Sequence, residues 1–235
     1  MKTLEMIEEN TYCNCERCDF RNILESCFDS KTLDYIARHK KELLIKKGEV
    51  INREGDRITD FKYLKKGIVK LYRKTVAGEQ IITVTKSFKF IASMSAFSET
   101  EYPYSMLALE DSTVCAINLD IIIQFMHGNG KFAAELLARI SKINDKIIRQ
   151  NLDIRQKNLS GRIAYAILCF SKDVYKSKSF MLHISRQEFA DYIGMSSANV
   201  IRTLSELKHG GIIKTSGKII EIIDMDRLEV ISKLG

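Results

Sequence analysis

From Leu43 to about Leu119 the apolar positions fall in short runs of β-type residues. Leu43-Leu44-Ile45, Glu49-Val50-Ile51, Phe61-Lys62-Tyr63-Leu64, Ile68-Val69-Lys70-Leu71-Tyr72 and Ile81-Ile82-Thr83-Val84 are punctuated by Gly48, Gly55-Asp56, Gly67 and Gly78. Further runs at 105–108 and 113–118 bring the expected strands to seven or eight, a spacing that suits a closed sandwich or jelly-roll barrel. Beyond Leu119 the period lengthens. Leu136, Ile140, Ile143, Ile147, Gln150 or Asn151, and Ile154 step by three and four, with Lys and Arg on the other faces. One long helix is therefore predicted to about Asn158. Its apolar stripe is narrow and its length exceeds what a small domain needs. That predicts a coiled-coil-like seam between two copies through Leu136, Ile140, Ile143, Ile147 and Ile154; packing on the helix's own barrel is the alternative. Polar residues and a glycine at Asn158-Leu159-Ser160-Gly161 mark an expected domain boundary.

The last third of the chain reads as two short helices followed by two strands. Ser185-Arg186-Gln187-Glu188 has capping-box spacing. The helix it starts is expected to break at Gly194, and Ser196 or Ser197 can cap a second one. In that second helix Val200, Leu204 and Leu207 recur every three to four residues, and Gly210-Gly211 supplies a stop. Residues 211–223 then alternate strand, polar turn with Gly217, strand. Small Ala190 lets the two helices cross closely, and Gly194 permits positive φ in the turn. Together these features predict a winged helix-turn-helix. The chain is thus expected to be α+β: an N-terminal β-barrel, a long dimerisation helix and a C-terminal winged helix-turn-helix. The expected divisions are a cysteine-bearing lead at 1–30, the barrel at 31–120, the helix region at 121–158 and the DNA-binding domain at 159–235.

Composition sharpens this in one respect. Between Ser160 and Lys218 nine basic residues stand against four acidic ones, so most of the net charge of +7 lies in the segment that carries the helix-turn-helix. A local excess of that sign suits neutralisation of phosphates. In this fold the second helix enters the major groove, which makes Ser196, Ser197, Asn199 and Arg202 candidates for base edges. Thr203, Arg186, Lys214 and Lys218 are read as phosphate contacts that set register. An ion pair from Arg202 to Glu206 is the alternative role for that arginine. No apolar run approaches the ~20 residues needed to span a bilayer, and Met1–Asn10 has no apolar signal segment, so a cytoplasmic protein with no membrane partner is expected. There is no Gly-rich phosphate loop, no nucleophile elbow and no His-Glu-x-x-His; an enzyme is not expected.

A small barrel, a long helix and a winged helix-turn-helix, in that order, resemble the Crp/Fnr family of bacterial transcription regulators. The passages that carry the resemblance are Lys47–Asp56, Leu64–Tyr72, Ala108–Ile117 and the helix-turn-helix itself. The resemblance covers nearly the whole chain. It implies a barrel of the cyclic-nucleotide-binding type and a homodimer reading palindromic duplex DNA. It also implies an effector at the barrel that reorients the DNA heads, and RNA polymerase as the partner through which an activator works. Arg202 matches the family's base-reading arginine, which can pair bidentately with guanine. Ala198 stands where the family often has a glutamate, so the half-site is expected to differ.

The resemblance also frames the effector. The cyclic-nucleotide branch holds its ligand with a Gly-Glu pair and an Arg-Ser/Thr pair. This chain has no Arg between Arg73 and Arg139 and no Gly between Gly78 and Gly128, which speaks against cyclic AMP. In the oxygen-sensing branch three N-terminal cysteines and a fourth at the barrel's end hold a [4Fe–4S] cluster. Cys115 falls on that fourth position, Cys15 and Cys18 supply a Cys-x-x-Cys, and Cys27 follows at a longer spacing than the branch uses. Cys13 has no counterpart, and Cys169 reads as core. Three readings stand open: a cluster on Cys15, Cys18, Cys27 and Cys115, a zinc or thiol-redox role for the N-terminal cysteines, or no metal, with an unidentified small molecule as effector.

Overall fold

A computed structural model of the chain describes residues 19–76, 78–86, 89–90 and 95–235. Among these residues two helices come first, α1 (Asp19–Cys27) and α2 (Ser30–His39), the latter capped by the Asp29 carboxylate, which accepts from the Thr32 amide. Among the described residues eight strands follow: β1 (Lys40–Ile45), β2 (Val50–Asn52), β3 (Asp60–Lys66), β4 (Ile68–Thr75), β5 (Gly78–Lys86), β6 (Lys89–Phe90), β7 (Ser105–Ala108) and β8 (Ser112–Asn118). They form two four-stranded sheets, ordered β1-β8-β3-β6 and β2-β7-β4-β5. The architecture is jelly-roll-like, and the closed barrel expected from the strand spacing is replaced by this pair of sheets. Next come α3 (Leu119–Gly128), the 27-residue α4 (Gly130–Gln156) and α5 (Leu159–Cys169), which Asn158 caps. A π-helical turn, Phe170–Tyr175, leads to β9 (Ser179–Met181). The chain then runs through α6 (Arg186–Ile193), α7 (Ser197–His209), β10 (Ile213–Ser216), β11 (Ile219–Ile222) and α8 (Met225–Leu234). No described helix is long and apolar enough to cross a membrane.

Two compact units result. One holds the chain up to Leu71 together with Lys86–Asp145, the other Tyr72–Thr85 and Lys146–Gly235. In the first, α1 and α2 cover one face of the β1-β8-β3 sheet. Phe20 packs on Phe61 and Tyr63 at ring-centroid distances of 5.7 and 6.1 Å. Phe28, at the end of α1, sits between Phe125 of α3 and Phe132 of α4 at 5.1 and 5.0 Å. Edge-on and offset aromatic contacts of this kind add about 0.5–1.5 kcal/mol each beyond burial. In the second unit Phe170 packs between Phe189 of α6 and Tyr192, and Tyr175 stacks on Phe180 of β9 at 4.7 Å.

Helix α4 departs from expectation in which face it buries. Leu136 is fully buried within the protomer, and Ile140 and Ile154 nearly so, while Ile143 and Ile147 are half-buried. The stripe assigned to a dimer seam is thus occupied by the protein's own core, because an apolar stripe records burial without saying against what. The apolar residues left exposed are Leu137, Ile148 and Leu152. At about 100° per residue they lie on roughly the opposite face, in a row with Ala134, Ser141 and Asp145.

One glycine fixes the turn by which the chain passes from β3 in one sheet to β4 in the other. Gly67 has φ +111°, and a Cβ there would come within 2.1 Å of the Ser112 hydroxyl oxygen on β8. Gly67→Ala is expected to lower the unfolding free energy by about 1–3 kcal/mol through backbone strain, with the steric clash adding to it, as read from a urea melt.

Candidate nucleic-acid interface

The helix-turn-helix is built from local interactions that the sequence specifies residue by residue. At the start of α6 the Ser185 hydroxyl accepts from the Glu188 amide at 3.1 Å, and the Glu188 carboxylate accepts from the Ser185 amide at 2.7 Å. This reciprocal pair satisfies two of the helix's orphan donors. Gly194 ends α6 in the left-handed region at φ +65°. Ser196 caps α7 by accepting from the Asn199 amide at 3.3 Å. Val200, Thr203, Leu204 and Leu207 turn inward, with Ala190 fully buried opposite them.

A single guanidinium ties the turn to the preceding helices. Arg162 donates from Nε to the Lys157 carbonyl at 2.8 Å and from Nη1 to the carbonyls of Gly194 and Ile193 at 3.0 and 3.4 Å. Its Nη2 donates to the Arg155 carbonyl at 3.3 Å.

Behind α7 stands a three-stranded antiparallel sheet ordered β10-β11-β9, with Ile220 paired to Thr215 on one side and to Phe180 on the other. Sequence reading found the two wing strands and missed β9. Its signal was present: Phe180, Leu182 and Ile184 alternate and all are buried.

Ser196, Ala198, Ile201, Arg202 and Ser205 are exposed along α7, with Ser197 and Asn199 half-buried. The Ser197 hydroxyl donates to Gln187 of α6 at 2.5 Å. Arg202 lies 3.7 Å from Glu206, both largely exposed, and an exposed i,i+4 pair of this kind is worth only ~0.3–0.5 kcal/mol. Arg202 is therefore easily released to a stronger partner. Lys214 and Lys218 project from the wing strand and its turn.

Two residues expected at phosphates sit elsewhere. Thr203 is 2% exposed, on the inward face one position before Leu204, so it is a packing residue. Arg186 is half-buried: its Nη2 donates to the Gly217 carbonyl at 3.1 Å, and burial lowers its pKa. It holds the tip of the wing against the start of α6.

The cysteines divide. Cys13, Cys15 and Cys18 lie outside the described residues. Cys115 is buried on β8 and lines a partly open cavity of about 310 Å³ between α1, α2 and the sheet, with Phe20, Leu24, Ile36, Phe61 and Tyr63. Cys27 is not part of that lining. It ends α1, where its carbonyl accepts from the Asn129 side chain at 2.8 Å. Cys169 is half-buried in the second unit, and burial pushes its thiol up to about 11. Among the described residues no three His, Cys, Asp or Glu are grouped to hold a metal.

Sequence reading also missed a polar set on β3 of the first sheet. Lys62 lies over the Tyr102 ring, its Nζ 4.9 Å from the centroid. Burial lowers the Lys62 pKa and raises that of Tyr102, whose hydroxyl is buried with no hydrogen-bond partner among the described residues.

Comparison with known proteins agrees with this architecture in both halves. The family description "Cyclic nucleotide-binding domain" matches residues 42–129, and "Crp-like helix-turn-helix domain" matches 161–231. The chain is 26% identical over 200 residues to the "Transcriptional activator protein anr" of Pseudomonas aeruginosa, with 83% of this chain and 81% of that one covered. It is 26% identical to the "Anaerobic regulatory protein" of Haemophilus influenzae, with coverage of 83% and 77%. Among solved structures, FixK2 from Bradyrhizobium japonicum superimposes with a TM-score of 0.74 at 21% identity, covering 82% of this chain and 96% of that one. The c-di-GMP responsive regulator CLP from Xanthomonas campestris gives 0.67 at 19%, with 83% and 99% covered. At those identities the structural likeness speaks for the fold alone. With a cyclic-nucleotide-binding-type jelly roll, a long connecting helix and a Crp-like helix-turn-helix in sequence, the chain belongs to the Crp/Fnr family of transcription regulators.

Proposed function

We propose that this protein is a homodimeric, sequence-specific DNA-binding regulator that presents α7 to the major groove of a palindromic duplex. The observation that carries the reading is the outward face of α7: Arg202 is exposed and weakly held, beside two exposed wing lysines, on a helix whose inward face is fully packed. Relatives named as transcriptional activators support it. Arg202, Ser196, Ser197 and Asn199 are the proposed base readers, with Lys214 and Lys218 on phosphates. Arg186 is assigned to the placement of the wing. The functional divisions proposed are 31–120 for sensing, 121–158 for dimerisation and 159–235 for DNA. RNA polymerase is the further partner and the cytoplasm the working place that this reading implies.

Arg202→Ala is expected to weaken binding to a selected operator by about 1–3 kcal/mol and to relax base preference at one position per half-site. Fluorescence anisotropy against operator variants reads this out; unchanged preference at every position would refute the assignment. Wild-type affinity should fall steeply with salt, as phosphate contacts require.

The dimer seam is assigned to the exposed row of α4, through Leu137, Ile148 and Leu152, in place of the buried stripe. Ile148→Glu should yield a folded monomer by sedimentation. A dimer as tight as the wild type would place the seam elsewhere.

Cys115 favours a redox input as a second reading. A cluster needs four thiolates, and the described residues bring one to the cavity, so by themselves they do not fit it. The N-terminal cysteines bear on the rest through chain position. Cys18 stands two residues before Phe20, whose ring packs on Tyr63, and Tyr63 is the cross-strand neighbour of Cys115. This favours donors from Cys13, Cys15 and Cys18 with Cys115, over a set that includes Cys27. Protein purified without oxygen is expected to carry iron and sulfide and a visible thiolate-to-iron absorption that bleaches in air. Cys115→Ser should lose the iron and Cys27→Ser should keep it. Iron-free wild-type protein would end this reading and leave DNA binding untouched.

A further inference from the structure

Ile201 is 58% exposed in the N-terminal half of α7 and is the one large apolar side chain on that helix that faces outward. The position is an unfavourable place for isoleucine twice over. Its branched Cβ loses rotamer freedom in a helix, and its hydrocarbon stays in water. Single exposed apolar residues are common on protein surfaces, so exposure alone decides nothing; the surroundings do. Ala198 lies one turn earlier on the same face and is also exposed, and Arg202 is the next residue. The two apolar side chains thus form a short strip flanked by Ser197 on one side and by Arg202 and Asn199 on the other. No described residue covers it.

The major groove displays one apolar group, the C5-methyl of thymine. Resting on the assignment of α7 as the reading helix, we propose that Ile201, backed by Ala198, is a specificity-determining residue that packs on a thymine methyl beside the base read by Arg202. Ala198, where the resemblance suggested a glutamate, then has a positive role. A carboxylate one turn from Ile201 would bring charge and bound water to the spot where the methyl must be desolvated. The strip makes no hydrogen bond and no phosphate contact, so it selects base identity without adding to the salt-dependent part of the affinity.

The test uses the full chain and duplexes selected by it from a random library. Each thymine of the enriched site is replaced in turn by deoxyuridine, which removes the methyl and nothing else, and affinity is measured at fixed salt. For the wild type, one thymine in each half-site should cost about fourfold on replacement, the value of burying one methyl (~0.8 kcal/mol). Ile201→Ser should bind the thymine and deoxyuridine duplexes equally, with wild-type salt dependence and unchanged thermal unfolding. The proposal is overturned if no thymine in the enriched site is sensitive to its methyl, or if Ile201→Ser keeps the same fourfold difference. In either case an enriched site and salt-dependent binding would leave the DNA-reading function standing. If no sequence is enriched at all, that function falls and this contact falls with it.

Discussion

The second unit depends on how four backbone carbonyls are satisfied by Arg162. Two of them, at Arg155 and Lys157, lie where α4 ends; the other two, at Ile193 and Gly194, lie where α6 ends. Carbonyls at helix C-termini have no intrahelical partner, and the helix dipole makes those ends negative. One guanidinium, with a planar fork of five donors, answers both ends at once. A lysine in its place would bring a point charge without the fork. Because the end of α4 and the turn after α6 share this cation, the start of α7 is fixed with respect to the end of the long helix. The reading face of α7 depends on that arrangement.

Around that clamp the packing is apolar and close. Val200, Leu204 and Leu207 of α7 are buried, as are Ala190 and Phe189 of the adjoining α6, and Phe170 of the π-helical turn packs on Phe189. Thr203 joins this inward face and Arg186 supports the wing, so two polar residues serve the scaffold. The residues that the proposed reading leaves for DNA are few: the outward side of α7 and the lysines of the wing. On the proposed reading, charge on that small surface would attract any duplex, and the side chains of one helical turn would choose among sequences.

The helix-turn-helix was legible in the sequence because its determinants are local. Ser185 and Glu188 are three residues apart, Gly194 has to adopt positive φ, and each cap acts within a turn. The strands of the jelly roll were legible for a similar reason, through short runs and glycines. Strand β9 was overlooked although its alternation is plain, since three residues between a helix and a turn make a weak run. What the sequence did not reveal is which neighbour a residue meets. Leu136, Ile140 and Ile154 form a true apolar stripe, but only tertiary packing says that it faces the protein's own core. Thr203 and Arg186 carry hydrogen-bonding groups that suit phosphate, and only burial reassigns them. The same holds for Cys27 and Cys115, which a ligand count treats alike and the fold sets in different surroundings.

The reciprocal cap at Ser185 and Glu188 has a kinetic consequence. A head whose turns are closed by its own side chains reaches a duplex already folded, so binding need not order its backbone and loses little conformational entropy there. Association can then run at the pace that diffusion and charge allow. A signal from the sensing half gains little by melting or forming the reading helix. In the proposed dimer its lever would be the spacing between two finished heads, which would decide whether the second lands before the first lets go.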